Sequence, residues 1–403
     1  MSEYQILTIL AAFAFLYSLV ASRLERTPIS GALVYVAVGL LCGPACLGLI
    51  DLNVDSEGIR WLAELTLAVV LFTDSANADL KVLRRFEAIP VRLLLIGLPL
   101  TILLGFGVGV VLFRDLGLFE IALLATMVAP TDAALGKAVI TNQSVPASAR
   151  ESLNVESGLN DGICVPVLLL FIALSSGEFH GWEALGLAAI LPLKAIGIGT
   201  AAGLGLGIVG SVALRNCSHR GWIDGTWMQI PVVALAMLCF ASAQWFGGSG
   251  FIASFVGGMT FGAMTREHKQ AVLEAAEGTG DVLAMLTWFA FGTMLLTQPL
   301  AVVDWRIVAY AFASLTVIRM LPVFLCVVGL GLRTDTKLFL GWFGPRGLAS
   351  IVFAVMVLGH HLPNGDLLVT TAAWTILLSI LAHGLSANPL AKAYGARVGG
   401  AGI

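Results

Sequence analysis

Between Asp224 and Arg266 the chain runs through residues 225–265 without a single charged side chain. A helix crosses the hydrocarbon layer of a bilayer with about 20 residues, so this stretch holds two crossings and the turn between them. The rest of the chain follows the same pattern. Of 403 residues, 58% are apolar and 12% charged, and 45 are glycine. A water-soluble chain of this length has no means of burying so much apolar surface, and a disordered one would not carry it. Net charge is −3 with no basic block, which leaves nucleic-acid binding without electrostatic footing. The sequence specifies an all-α integral membrane protein with the lipid bilayer as its first partner.

The apolar runs predict thirteen transmembrane helices, at 5–22, 29–48, 60–77, 91–113, 119–140, 151–174, 186–213, 224–245, 249–264, 281–298, 306–331, 338–359 and 367–388. The first reads as a retained span, because no basic segment precedes it and no small-residue cleavage site follows. Loop charges test the count. With the N-terminus outside, sixteen Lys and Arg fall on the cytoplasmic side; only Arg60, Arg114 and Arg306 fall on the other, and Lys194, Arg319 and Arg346 lie within spans. Basic residues concentrate in cytoplasmic loops. The asymmetry predicts an odd number of spans in the cell (inner or plasma) membrane, N-terminus outside and C-terminus cytoplasmic.

A weak internal repeat is visible. Span 3 ends in LFTDS (71–75) and span 10, about 220 residues later, in AFGTM (290–294); span 5 carries APTDA (129–133) and span 12 FGPRGL (343–348). This predicts two inverted six-helix repeats, residues 1–176 and 223–403, joined by span 7 within 177–222, the plan of secondary transporters. Pro130 and Pro345 each remove a helical hydrogen bond and clash with the preceding turn, so spans 5 and 12 are expected to break and cross. The half-helix ends then need countercharges, which Asp132 and Arg346 are placed to supply.

Five ionisable residues fall at depth: Asp132, Glu156, Asp161, Arg319 and Arg346. Each costs about 2.5–3.5 kcal/mol at the centre of a membrane helix, so the set points to function; mutual salt bridges that only fix the fold are the rival reading. Span 6 contains NVESGLNDGICVP (154–166). Glu156, Ser157, Asn160 and Asp161 there share about 140° of one helix face. Hard oxygen donors without Cys or His neighbours suit Na⁺, Li⁺ or K⁺ rather than zinc or copper. Three acids against two arginines leave one negative charge, relieved by one monovalent cation or one proton. Burial penalises the charged form of a carboxylate, so H⁺ and cation compete for one acid, chosen as Asp161. Glu156 reads as the ion-pair partner of Arg319.

APTDA, NVESGLNDG and FGPRGLASIVF together resemble the cation:proton antiporter superfamily in its NhaP/NHE branch, across essentially the whole chain. The resemblance implies a homodimer, each protomer with a dimerisation part and a mobile core drawn mainly from spans 3–6 and 10–13. It implies alternating access by an elevator-like movement of that core. It assigns Asp161 as the carboxylate shared by H⁺ and cation, with Asp132, Thr131 and Ser157 forming the site around it, and Asp161 and Asp132 as ligands of Na⁺ or K⁺. It maps an ion pair onto Glu156 and Arg319 and a span-12 arginine onto Arg346. Asn160, before the key aspartate, is similar to the electroneutral exchangers. Two features depart from the pattern. Many relatives carry proline directly after the Thr-Asp pair, where this chain has Ala133. Some carry glutamate near the end of span 3, where this chain has Thr73 and Asp74; if Asp74 lines the site, the core charge becomes −2 and the one-for-one argument weakens.

The expected function is electroneutral exchange of a monovalent cation for H⁺ by alternating access, serving pH homeostasis, with Na⁺ first and Li⁺ as surrogate. It is transport rather than enzyme catalysis, with no cofactor. K⁺/H⁺ exchange is the alternative within the class, and a non-coupled ion-conducting or sensing membrane subunit of a larger system the alternative outside it. About 15 residues follow span 13, so no separate cytoplasmic domain is expected, and a separate regulatory partner on the cytoplasmic face stays open. Gly199 and Gly203 read as close helix packing, the loop 265–281 with Glu274 and Glu277 as solvated charge, and His383 as a helix-contact histidine.

Overall fold

The computed structural model describes residues 3–24, 27, 29–51, 57–78, 88–132, 135, 137–140, 142–176, 182–265, 269–294 and 304–399. Regular structure among them is helical throughout. The chain opens with α1 (Glu3–Leu24), α2 (Gly31–Cys42), α3 (Glu57–Asn77) and α4 (Ala88–Leu112). Span 5 is divided into α5 (Leu118–Met127) and the single turn α6 (Lys137–Ile140), and α7 (Ala147–Ser175) forms span 6. Span 7 is α8 (Trp182–His219), and the charge-free stretch holds α9 (Ile230–Trp245) and α10 (Gly250–Met264). The remaining helices are α11 (Lys269–Met294), α12 (Trp305–Leu315), α13 (Val317–Cys326), α14 (Thr334–Trp342), α15 (Leu348–Gly359) and α16 (Gly365–Gly399).

The elements follow the predicted order, with four main differences. Helix α2 stops at Cys42, ahead of the turn-forming Gly43-Pro44 pair, rather than at 48. Helix α11 begins at Lys269, so Glu274 and Glu277 stand on a helix and not in a loop; Asn77, at the end of α3, donates to Glu277 at 2.5 Å. The last predicted residues of span 10, 295–298, lie outside the described residues. Span 11 is split at Thr316 (φ −111°, ψ −95°) into α12 and α13. Neither proline nor glycine stands at that point, so the apolar pattern carries no sign of the break. Helix α16 continues past 388 to Gly399.

Close packing positions the framework around the site. Helix α10 passes between α8 and α3. A Cβ added at Gly199, Gly203 or Gly207 of α8 would lie 2.5–2.9 Å from the carbonyl oxygens of Ser249, Ala253 and Gly257. On the opposite face of α10, Gly258 and Gly262 press against the backbone of Phe72 and Ala76 in α3. Small residues at a four-residue spacing let membrane helices approach to backbone contact. The main apolar core joins α3, α5, α7, α15 and α16 through residues such as Leu71, Leu124, Leu168, Phe353 and Ile376. The interruptions of spans 5 and 12 are enclosed by these helices.

Candidate functional site

The two interruptions meet and complete one another. Helix α5 ends at Met127, and residues 129–132 run without helical structure; residues 343–347 do the same between α14 and α15. The Asp132 N–H donates to the Pro345 carbonyl at 2.7 Å. The Asp132 carboxylate accepts from the Leu348 N–H at 2.8 Å, placing an anion on the N-terminus of α15, where unpaired amides and the helix dipole favour it. In the other direction, Arg346 Nη1 donates to the carbonyls of Ala129 (2.6 Å) and Pro130 (3.2 Å), just beyond the C-terminus of α5. Its Nη2 donates to the Ser314 carbonyl at 3.3 Å, two residues before the Thr316 break. Each broken segment thus supplies the charge that the other's helix end requires.

The two glycines of Gly-Pro-Arg-Gly have a shared cause. A Cβ on Gly347 would fall on the carboxylate of Asp132, and one on Gly344 would fall on the guanidinium of Arg319. Charged groups occupy the space where a side chain would stand.

Helix α7 provides the facing wall. Ser157 Oγ donates to the Thr131 carbonyl at 2.6 Å, and Asn160 Nδ2 donates to Thr131 Oγ1 at 2.7 Å. Glu156, one residue from Ser157, takes two hydrogen bonds from Arg319 of α13, Nη1 to Oε1 at 2.5 Å and Nη2 to Oε2 at 2.8 Å. Both members are 1–2% exposed. Asp161 is also buried, but its Oδ1 has no hydrogen-bond partner among the described residues, and neither has Asn160 Oδ1. Asp132 and Asp74 both lie within electrostatic reach of Asp161. An unsatisfied buried acceptor costs about 1–3 kcal/mol, so a donor or a cation at these two oxygens would relieve that cost.

The structure therefore brings together Thr131, Asp132, Ser157 and Asn160 through hydrogen bonds, with Arg346 holding the same segment from behind. Thr73 is not joined to them by its hydroxyl, which returns to the Val69 and Val70 carbonyls of its own helix at 3.0 and 2.9 Å. Asp74 stands half-buried on α3. A small pocket of about 10 Å³ has Thr131, Asp132, Ser157 and Pro345 on its polar side and Val139, Ile140, Leu153 and Phe343 on its apolar side. Asp161 lies outside that lining.

His383 makes the helix contacts expected of it, but sequence reasoning missed the other groups that brace this centre: Ser314, the Thr316 break, and Ser379 on α16. One signal was available. Ser379, His383 and Ser386 recur at spacings of four and three, a polar stripe on an otherwise apolar span.

Comparisons with known proteins bear on the family and the fold. The model of a family described as sodium/hydrogen exchanger, transmembrane, matches residues 9–393. The K(+)/H(+) antiporter NhaP2 of Shewanella sp. (strain MR-4) is 26% identical over 392 residues, covering 97% of this chain and 67% of that protein. The K(+)/H(+) antiporter NhaP of Alkalimonas amylolytica is 24% identical over 384 residues, covering 94% of this chain and 65% of that protein. The chain thus spans about two thirds of the length of these relatives. Among solved structures, the sodium proton antiporter MjNhaP1 from Methanocaldococcus jannaschii at pH 8 superposes with a TM-score of 0.81 at 20% identity, covering 98% of this chain and 100% of that one.

Proposed function

We propose that this chain, which belongs to the sodium/hydrogen exchanger family of multi-pass membrane proteins, exchanges one monovalent cation for one proton at Asp161. The observation that carries the reading is the unpartnered, buried Oδ1 of Asp161 beside the unpartnered Oδ1 of Asn160. One turn away, Glu156 has its charge fully met by Arg319. Asp161 is the carboxylate left to be neutralised by cargo.

Asp132, Thr131, Ser157 and Asn160 form the cation's surroundings, with Asp161 and Asp132 as its charged ligands. A proton on Asp161 removes the charge that holds the cation, and a bound cation opposes the proton, so the two occupy the site in alternation. Asp74 adds a second negative charge near Asp161. Charge balance over the core therefore does not by itself set the stoichiometry; competition for a single carboxylate does. Alternating access follows from movement of the core that carries both breaks, within two inverted six-helix repeats. The protein works as a homodimer, N-terminus outside and C-terminus cytoplasmic, as the basic-residue asymmetry supports. No cofactor or enzymatic step enters the cycle.

Na⁺ is the first reading of the cation, with Li⁺ as surrogate. K⁺ is the second reading, favoured by the names of the relatives as K(+)/H(+) antiporters. Proton flux from acid-loaded proteoliposomes on addition of Na⁺, K⁺ or Li⁺ in turn tests the proposal. Cation-triggered alkalinisation, insensitive to membrane voltage and lost in Asp161→Asn, is expected. Current without coupled proton movement would replace exchange by conduction.

A further inference from the structure

The break in span 12 leaves one hydrogen bond conspicuously unmade. In an uninterrupted helix the N–H of Arg346 would donate to the C=O of Trp342, four residues earlier. Here the two groups are separated: the Trp342 carbonyl accepts from the Gly344 N–H at 2.9 Å, and α16 supplies a second partner for that carbonyl and one for the Arg346 N–H. The Arg346 N–H donates to Ser379 Oγ at 2.7 Å. His383 Nε2 lies 2.8 Å from the Trp342 carbonyl. Since a carbonyl only accepts, Nε2 carries the hydrogen. The neutral ring then presents Nδ1 as an acceptor. Nδ1 is 3.2 Å from Ser379 Oγ and 3.0 Å from the Ser379 carbonyl, and of these only the hydroxyl can donate. The result is one directed chain: Arg346 N–H to Ser379 O–H to His383 to Trp342 C=O. It spans the gap that a single helical bond would have closed. The indole of Trp342 adds a third attachment, with Nε1 donating to Ser386 Oγ at 3.0 Å and its ring 5.1 Å from that of His383. Ser379 and His383 are 0% and 1% exposed.

We infer that Ser379 and His383 are positioning residues for the cation site, acting through the backbone of residues 342–346. The inference rests on the assignment of cargo to Asp161 and Asp132. Neither residue is among those that line the cavity beside the site. Their effect passes through Arg346, whose backbone they anchor and whose guanidinium holds the carbonyls of Ala129 and Pro130, next in sequence to Thr131 and Asp132. The neighbouring Pro345 carbonyl holds the Asp132 amide directly. Partners that orient ligands from behind typically govern affinity by 10- to 100-fold in metal sites.

Cation-dependent proton flux in proteoliposomes, measured against cation concentration, tests this. Ser379→Ala and His383→Ala are each expected to raise the apparent cation KM about tenfold while turnover at saturating cation stays near that of the unaltered protein. The double variant is expected to be no worse than either single one, because one cut already breaks the chain. His383→Gln, whose amide both donates and accepts, is expected to restore most of the affinity. Where an alanine variant does not fold, Ser379→Cys carries the same expectation, since a thiol is a weak acceptor of similar shape. An unchanged KM in the alanine variants overturns the inference. So does lowered thermal stability without a KM change, or a glutamine variant no better than alanine. An unaltered protein that exchanges no cation, or an Asp161→Asn variant that still exchanges, overturns the functional reading and this inference together. A shift absent at residues 379 and 383 while Asp161→Asn is inactive overturns this inference alone.

Discussion

Glu156 and Asp161 are carboxylates on the same helix, five residues apart and both buried, yet their surroundings are opposite. Glu156 receives a bidentate guanidinium from Arg319. Asp161 lies within electrostatic reach of other acids and has an oxygen that no group among the described residues donates to. A buried charge with its partner in place is part of the framework, and removing one member exposes the desolvation cost of the other. A buried carboxylate oxygen that meets no donor keeps its desolvation cost uncompensated, and the proposed exchange places the cation or proton there. The difference teaches that depth in the membrane alone does not separate a framework carboxylate from a candidate for transport; the opposite charge already supplied by the protein does.

The largest effect expected from this contrast is on transport. Asp161→Asn is expected to reduce cation-dependent proton flux to the level of protein-free liposomes, while melting in detergent stays unchanged or rises, because an unpaired charge is removed. Residual exchange in this variant would erase the distinction between the two carboxylates. Glu156→Gln is expected to act on the fold instead. It strands Arg319 in the interior, at a cost of about 3–5 kcal/mol, seen as a marked drop in melting temperature. Pairing it with Arg319→Gln is expected to return part of that loss, and two additive effects would show that the pair is not a unit.

A smaller effect is expected at Gly347→Ala. The added methyl group competes with the Asp132 carboxylate for space, at roughly 1–3 kcal/mol for overpacking. It should weaken cation affinity as well as stability, since Asp132 is displaced from the α15 N-terminus. Unchanged affinity there would separate Asp132 from the site. The smallest effect is expected at Asp304, outside the spanning segments. Its side chain accepts from the Arg306 N–H at 2.9 Å and caps α12. Asp304→Ala is expected to cost about 0.5–2 kcal/mol and leave exchange intact. The side-chain hydrogen bond from Arg306 holds the Asp304 carboxyl below the usual carboxylate range. Its contribution is therefore present above that ordinary range and fades as pH falls through the lowered value. A melting curve for Asp304→Ala that keeps its difference from the unaltered protein in strong acid would contradict the cap.

Much of this was legible in the residues. Charge-free runs longer than a bilayer crossing specify helices whatever the packing, because lipid offers the backbone no hydrogen bonds. Pro130 and Pro345 announced the two breaks, since a proline at a crowded centre both removes a donor and obstructs a turn. Proline alone was not sufficient, however: Pro166 and Pro389 stand inside helices that continue through them. The split at Thr316 carried no signal at all, and the polar start of α11, where Glu277 meets Asn77 at the end of α3, stood outside its apolar segment.

The sequence by itself determined the membrane environment, the order of the helices, the two prolyl breaks and the oxygen-rich face of α7. These depend on local composition and on the helical period, which are properties of neighbours along the chain. Only the tertiary structure decided that Asp132 caps α15 while Arg346 caps α5, that Arg319 meets Glu156 and leaves Asp161 alone, and that a serine and a histidine more than thirty residues away close the gap at Trp342. The reason is that a buried polar group must find its partner in space, and which partner it finds depends on helices brought together from distant parts of the chain.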